Sequence, residues 1–137
     1  MKTVEDIKKT LKEEKIRFLR LQFTDILGMS KNVEVPERQF DKALGGEILF
    51  DGSSIEGFVR IEESDMLLKP DLETFRILPW GEKHGRIARI ICDVYTSDEK
   101  PFKGCPRVNL KNAISLANKM GYTLMAGPAA DFCLFLI

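Results

Sequence analysis

A chain of 137 residues is long enough for one ordinary domain with a hydrophobic core of its own. Its 21 basic and 21 acidic residues cancel, which argues against a non-specific nucleic-acid binder, because such binding needs a basic surplus. Three widely spaced cysteines and one histidine indicate reduced thiols in a cytoplasmic protein without a zinc site, and the apolar run at 132–137 is too short to span a membrane.

The first half of the chain alternates helix and strand patterns. Thr3 and Asp6 have the spacing of a capping box, and apolar residues recur at helical intervals after them, which predicts a helix over residues 4–14. Alternating apolar residues predict a half-buried strand at 19–23 and a return strand that ends at Pro36, with a turn at 25–30 between them. Pro36 suits the first turn of a second helix, which Gly45 and Gly46 end.

The second half contains a loop, two strands and a polar break. Residues 51–65 form an acidic loop, and strands are predicted from 74 to 79 and from 87 to 95, the latter apolar enough to be central. Residues 97–106 are polar, contain two prolines and mark a boundary. After them the spacing predicts a helix over 110–120, closed by Gly121, and strand segments at 122–125 and 131–137.

This order of elements predicts an α+β fold with one sheet covered on one face. We assign residues 1–100 to this first domain and residues 101–137 to the incomplete start of a second one. The run at 132–137 is apolar on both faces, as in strands that lie inside a sheet. We therefore expect that the elements which would cover this strand are missing from the chain.

The acidic loop contains the residues with the clearest chemical potential. Asp51, Gly52, Ser53 and Ser54 are turn formers, and an aspartate can bond the backbone two residues on, so a plain turn without function is one interpretation. The other interpretation is a cation site, because a carboxylate beside a hydroxyl can hold ammonium and accept its proton. Asp65 would add a second negative charge if the loop folds back.

Several segments resemble bacterial type I glutamine synthetase, in register along nearly the whole chain. The similar segments are 50–55, 63–66, 19–25 with Gly28, 70–71, 78–80, 88–93, 101–102 and 106–107. The resemblance implies a β-grasp-like N-terminal domain followed by the opening of the catalytic domain. It implies that the chain is the N-terminal part of a synthetase and that its partners are neighbouring subunits of a homo-oligomer.

The resemblance also implies roles for individual residues. In this family the turn reaches into the catalytic barrel of the neighbouring subunit, where Asp51 would bind ammonium and take its proton, with Ser54 and Asp65 lining the same site. Residues 57–61 resemble the branch regulated by feedback, in which Arg60 would take part in inhibition by glutamine; a surface salt bridge with Glu62 or Glu63 is the alternative for Arg60.

The resemblance breaks at residues 127–132. The family has Gly-Pro-Glu-Pro-Glu-Phe there, and both glutamates are metal ligands, whereas this chain has Ala129, which offers no donor atom, and Asp131, one methylene shorter. Asp131 remains a possible metal ligand or a solvated aspartate. The family uses ATP with Mg²⁺ or Mn²⁺, and we expect none of them to bind this chain well. No phosphate-binding glycine loop is recognisable.

The sequence therefore predicts a piece of a glutamate–ammonia ligase that is inactive alone. A non-catalytic module that binds full-length synthetase subunits is one alternative, and the change at Ala129 and Ala130 fits it. A decayed or truncated reading frame is another. A relative that ligates another amine instead of ammonia also remains open, because the rest of the pocket is not in this sequence.

Overall fold

The computed structural model describes residues 2–55, 65–80 and 85–135. Within these ranges five strands form one mixed sheet in the order β2-β1-β5-β4-β3, with β1 parallel to β5 and the other neighbours antiparallel. The strands are β1 (Ile16–Thr24), β2 (Ser30–Pro36), β3 (Ile48–Asp51), β4 (Asp65–Ile77) and β5 (Arg86–Thr96). The helices are α1 (Val4–Glu13), α2 (Phe40–Gly45) and α3 (Pro106–Lys119).

Helix α1 begins as the sequence predicts. The Thr3 hydroxyl accepts the Asp6 N–H at 3.1 Å, and the Asp6 carboxylate accepts the Thr3 N–H at 3.0 Å. This reciprocal pair satisfies two N–H groups that the first turn of a helix otherwise leaves without partners. Ile7 and Leu11, one turn apart, are buried against the sheet. The predicted capping box is therefore confirmed.

The core lies on one face of the sheet, under α1 and α2. Alternate residues of β1 point into it, and so do alternate residues of β4 and β5. The buried cluster contains Ile7, Leu11, Leu19, Leu21, Phe23, Phe40, Ala43, Leu44, Met66, Leu68, Ile90, Cys92 and Val94. Burying one such large side chain stabilises the fold by about 1.5–3 kcal/mol. The predicted α+β fold, with one sheet covered on one face, is thus confirmed.

The other face of the sheet is the open face, and its charges explain why β4 is longer than predicted. The sequence predicts a strand only at 74–79, whereas β4 begins at Asp65. Lys69 and Asp71 interrupt the apolar pattern, but a strand tolerates such residues on a face that no core covers. The second helix also differs: Pro36 ends β2, and a 3₁₀ turn at Glu37–Gln39 precedes α2.

Helix α3 is attached to the sheet by a few contacts near its N-terminus. Cys105 is buried, and its Sγ accepts the N–H of Val94 at 3.5 Å. The Arg107 guanidinium donates to Asp93 at 2.7 Å and to Asp71 at 2.5 Å, which fixes the helix to β4 and β5. The hydrogen bond from Arg107 lowers the pKa of Asp71, so the pair stays ionised at neutral pH.

The two strands predicted for the C-terminal segment are not found among the described residues. The predicted strands at 122–125 and 131–137 are absent from residues 120–135, which have no regular secondary structure and are exposed; residues 136–137 lie outside the described part. The apolar stripe of α3, with Leu110 and Leu116, is also exposed. A strand needs a neighbour to satisfy its N–H and C=O groups, and none of the described strands pairs with this segment.

All three cysteines are free thiols, with Cys92 and Cys105 buried and Cys133 exposed. Burial raises the pKa of the Cys92 thiol, so it stays protonated and unreactive. Among residues 2–55, 65–80 and 85–135, no helix is both long and apolar enough to cross a membrane.

Candidate functional site

The end of β3 presents Asp51 on the open face of the sheet. Phe50 points to the core side, where its ring packs against Phe23 with the ring centroids 4.8 Å apart. Since side chains alternate along a strand, Leu49 and Asp51 point the other way, and both are exposed. The ring contact of Phe50 therefore fixes the direction in which the carboxylate of Asp51 leaves the sheet.

The turn after β3 holds one oxygen of this carboxylate firmly. Oδ1 of Asp51 accepts the backbone N–H of Ser53 at 2.9 Å and the Ser53 hydroxyl at 2.6 Å. The Ser54 hydroxyl donates to the backbone carbonyl of Asp51 at 2.7 Å. The predicted bond from an aspartate to the backbone two residues on is thus confirmed. Gly52 is buried in this turn, and Ile55 packs against the core after it.

The hydrogen bonds also set the charge of the site. The Ser53 hydroxyl, and after it the Ser53 N–H, lower the pKa of the Asp51 carboxyl, because both donate to its ionised form. Asp51 is therefore a carboxylate at neutral pH. Its second oxygen, Oδ2, has no hydrogen-bond partner among residues 2–55, 65–80 and 85–135.

Asp65 is the cross-strand partner of Asp51. The two residues are Cα partners at the end of the β3–β4 ladder, next to the pair of Phe50 and Met66. Directly opposite residues of an antiparallel pair share a face, with Cβ atoms roughly 4.5–5.5 Å apart. Two carboxylates in this position repel each other, and like charges directly opposite destabilise a sheet. The repulsion between Asp51 and Asp65 therefore destabilises the sheet at this exposed, negatively charged end.

Such an arrangement can bind a small cation. Two carboxylates on one face attract a monovalent cation, and the attraction grows when water is excluded by a second surface. One carboxylate whose Oδ1 is held and whose Oδ2 is free can also accept a proton from a bound ammonium ion. In the described chain this end is exposed, so a covering surface would have to come from elsewhere.

Two further predicted site residues are Arg60 and Asp131. Arg60 lies outside the described residues, within 56–64. Asp131 and Ala129 lie in the exposed C-terminal segment. The described ranges hold no group of three or more His, Cys, Asp or Glu side chains arranged for a metal ion. Since Ala129 has no donor atom and Asp131 belongs to no such group among the described residues, these residues do not fit a divalent-metal site.

Sequence reasoning did not identify Ser53 as the residue that holds Asp51. The resemblance implies that Ser54 lines the same site, and in the structure the Ser54 hydroxyl donates to the main-chain carbonyl of Asp51. The signal was present, because a serine two residues after an aspartate can donate both its N–H and its hydroxyl to that carboxylate.

Comparison with protein families gives a match over the whole of the described sheet. The family model for the β-grasp domain of glutamine synthetase matches residues 15–97. The chain is 62% identical to the glutamine synthetase of Thermus thermophilus over 138 residues, which covers 98% of this chain and 31% of that protein. It is 58% identical to the glutamine synthetase of Staphylococcus aureus strain Mu50, covering 97% of this chain and 30% of that protein. The chain thus spans about 31% of the length of the curated relative from Thermus.

Solved structures give the same result for the fold. The structure of GmaS in complex with ADP matches with a TM-score of 0.74 at 28% identity, covering 84% of this chain and 26% of that one. The glutamine synthetase of Plasmodium falciparum matches with a TM-score of 0.75 at 22% identity, covering 88% of this chain and 23% of that one. At that identity the second likeness speaks for the fold alone.

Proposed function

Because the chain belongs to the glutamine synthetase family through its β-grasp domain, we propose that it supplies the ammonium-binding turn of a glutamate–ammonia ligase. The turn would act in the catalytic site of a neighbouring subunit of a homo-oligomer. One observation carries this proposal: Asp51 and Asp65 stand opposite each other on an exposed strand end, with Oδ2 of Asp51 free of hydrogen bonds from the described residues.

The proposed chemistry is a proton transfer followed by acyl transfer. Ammonium binds between the two carboxylates, and Oδ2 of Asp51 takes one proton, which leaves neutral ammonia and a protonated Asp51. The lone pair of ammonia attacks the carbonyl carbon of γ-glutamyl phosphate, phosphate leaves with the bonding electrons, and the nitrogen gives one proton to the departing phosphate to form the amide. Asp65 contributes negative charge that attracts the cation, and Ser54 lines the same site by keeping the turn closed.

We also propose that residues 1–100 are the β-grasp domain and that residues 101–137 begin the catalytic domain. The family's ATP and Mg²⁺ or Mn²⁺ would then be bound by residues of the catalytic domain, since Ala129 and Asp131 do not supply a metal site. A cytoplasmic location agrees with three free thiols.

The single-chain test is a coupled assay of ATP hydrolysis with glutamate and ammonium on the purified 137-residue protein. We expect no turnover above the background without ammonium, because the described residues do not fit a metal site. The full-length Thermus enzyme, assayed in parallel, serves as the positive control. Turnover close to that of the Thermus enzyme would refute the proposal that the turn acts only in a second subunit.

The contribution of the turn to ammonium-dependent turnover can be measured in a chimera. We define the chimera as the Thermus glutamine synthetase in which residues 1–119 of this chain replace the matching N-terminal residues. It keeps the relative's own sequence beyond that point, and so avoids the departure at Ala129 and Asp131.

Arg60 is proposed to take part in feedback inhibition by glutamine. Arg60 lies between Asp51 and Asp65 in the sequence, which supports a role near the site. We expect the chimera with Arg60→Ala to keep turnover but to need a glutamine concentration at least about tenfold higher for half-inhibition, as when a charged hydrogen bond is removed. The inhibition curve is the measurement, and Arg38→Ala, an arginine on the 3₁₀ turn before α2, is the matched control. An unchanged inhibition curve would contradict this role and favour the alternative, a surface salt bridge of Arg60.

A further inference from the structure

We infer that Ser53 is the positioning residue of the ammonium site, a role that neither the sequence resemblance nor the comparisons assign to it. The inference rests on the proposed function of Asp51 and deepens it. Ser53 would aim the free oxygen of Asp51 at the cation and keep the carboxylate ionised.

The geometry of the turn gives Ser53 this role. Its N–H and its hydroxyl both bind Oδ1 of Asp51, at 2.9 and 2.6 Å, so the carboxylate is held at one oxygen by two donors. Two bonds to one oxygen restrict the rotation of the carboxylate and leave Oδ2 without a donor among the described residues. Hydrogen bonds to an ionised acceptor are short and strong, and the 2.6 Å contact is in that class.

Ser54 acts differently, although it is the neighbouring serine. Its hydroxyl donates to the Asp51 main-chain carbonyl, which closes the 3₁₀ turn without touching the carboxylate. Removing the Ser54 hydroxyl would loosen the turn, whereas removing the Ser53 hydroxyl would change the carboxylate directly. Substituting Ser54 therefore tests the shape of the turn, whereas substituting Ser53 tests the charge state of Asp51.

The charged group that faces Asp51 across the ladder is Asp65 of β4, and the next two residues of β4, Met66 and Leu67, carry no charge. The Ser53 hydroxyl and then the Ser53 N–H lower the pKa of the Asp51 carboxyl, against the opposing effect of desolvation. Ser53 thus helps to keep Asp51 ionised, and so able to act as a base, at the strand end that it shares with Asp65.

The first test uses the 137-residue chain itself. NMR titration of side-chain carboxyl carbons follows Asp51 in the unmodified chain and in Ser53→Ala, Ser53→Thr and Thr96→Ala. We expect the pKa of Asp51 to rise in Ser53→Ala and to return in Ser53→Thr, which keeps the hydroxyl. Thr96→Ala is the matched control, because the Thr96 hydroxyl binds the Asp98 carboxylate at 2.5 Å in another turn. If the pKa of Asp51 is the same in Ser53→Ala as in the unmodified chain, the inference is overturned.

The second test uses the chimera. With Ser53→Ala we expect kcat/KM for ammonium at pH 7 to fall about tenfold, the value of one charge-assisted hydrogen bond. The acidic limb of the pH profile should move to higher pH, because a base with a raised pKa is protonated sooner as the pH falls. Ser53→Thr should restore both.

The outcomes distinguish the inference from the proposed function. If Asp51→Asn abolishes turnover but Ser53→Ala leaves the rate and the pH profile unchanged, the proposed function stands and the role of Ser53 is overturned. If Asp51→Asn itself leaves turnover intact, the proposed function fails. A uniform loss of rate in Ser53→Ala without a shifted acidic limb would indicate a merely structural serine and would also overturn the inference.

Discussion

We expect Asp51→Asn to lower the ammonium-dependent turnover of the chimera by about 10²–10⁴-fold, the usual loss when a positioned general base is removed. Asparagine has the shape of aspartate, and its side-chain oxygen can still accept the two Ser53 donors that hold Oδ1. It lacks both the negative charge that attracts ammonium and the basicity that removes its proton. The loss should therefore affect both kcat and the KM for ammonium.

The measurement is steady-state turnover at varied ammonium, with glutamate and ATP saturating. Asp41→Asn is the matched control, because Asp41 is an exposed aspartate on α2 that forms an ion pair with Lys8. Surface substitutions of this kind are usually close to neutral. Asp65→Asn should lie between the two, since Asp65 supplies charge but not the proton acceptor. Turnover of Asp51→Asn close to that of the unmodified chimera would contradict the proposal.

The second large effect concerns the departure at residues 127–132. An extended chimera, in which residues 1–135 of this chain replace the matching Thermus residues, carries Ala129 and Asp131 into the metal-ligand positions that the family resemblance implies. We expect it to be at least about 100-fold less active than the chimera, because the loss even of a residue that only supports a metal ligand costs about 10–100-fold.

Restoring Glu at positions 129 and 131 and Pro at 130 should return most of this activity. Binding of Mn²⁺, measured by calorimetry on the same three proteins, gives a readout that does not depend on turnover. We expect tight binding in the chimera and in the restored protein, and weaker binding in the extended chimera. Equal Mn²⁺ affinity and equal activity in all three would show that Ala129 and Asp131 leave the metal site intact.

The parts of the fold that local chemistry determines could be predicted from the sequence. The Thr3–Asp6 capping box starts α1, and the alternation in β1 identifies the residues that point into the core. The start of β4 could not be predicted, because Lys69 and Asp71 break the apolar pattern on a face that only the three-dimensional structure reveals as open. The strand expected after residue 121 failed because a strand depends on a neighbour that pairs with it.

In the candidate site, too, some features could be predicted from the sequence and others could not. The Asp51 turn could be predicted, because an aspartate bonding two residues ahead is a local preference. The pairing of Asp51 with Asp65 depends on the register of β3 against β4, which joins residues from opposite ends of the intervening loop. The choice of Ser53 over Ser54 depends on the rotation of two hydroxyl groups in one turn. Sequence alone could name the residue types but not these orientations.

The central claim is that the Asp51 turn acts in a site of a different subunit. Two defective proteins test it when they are dissociated, mixed in equal amounts and reassembled: the Asp51→Asn chimera, whose catalytic barrel is intact, and the extended chimera, whose turn is intact. Each is expected to have little activity alone. Mass spectrometry of the intact oligomers confirms that both chains are present in one assembly.

If a turn is donated between subunits, random mixing places an intact turn beside an intact barrel in about one quarter of the sites, as expected for a repeating head-to-tail contact. Turnover should then return to about a quarter of that of the unmodified chimera. If each turn serves its own chain, no site in the mixed oligomers combines both intact parts. Mixed oligomers that form but stay as inactive as their components would contradict the claim.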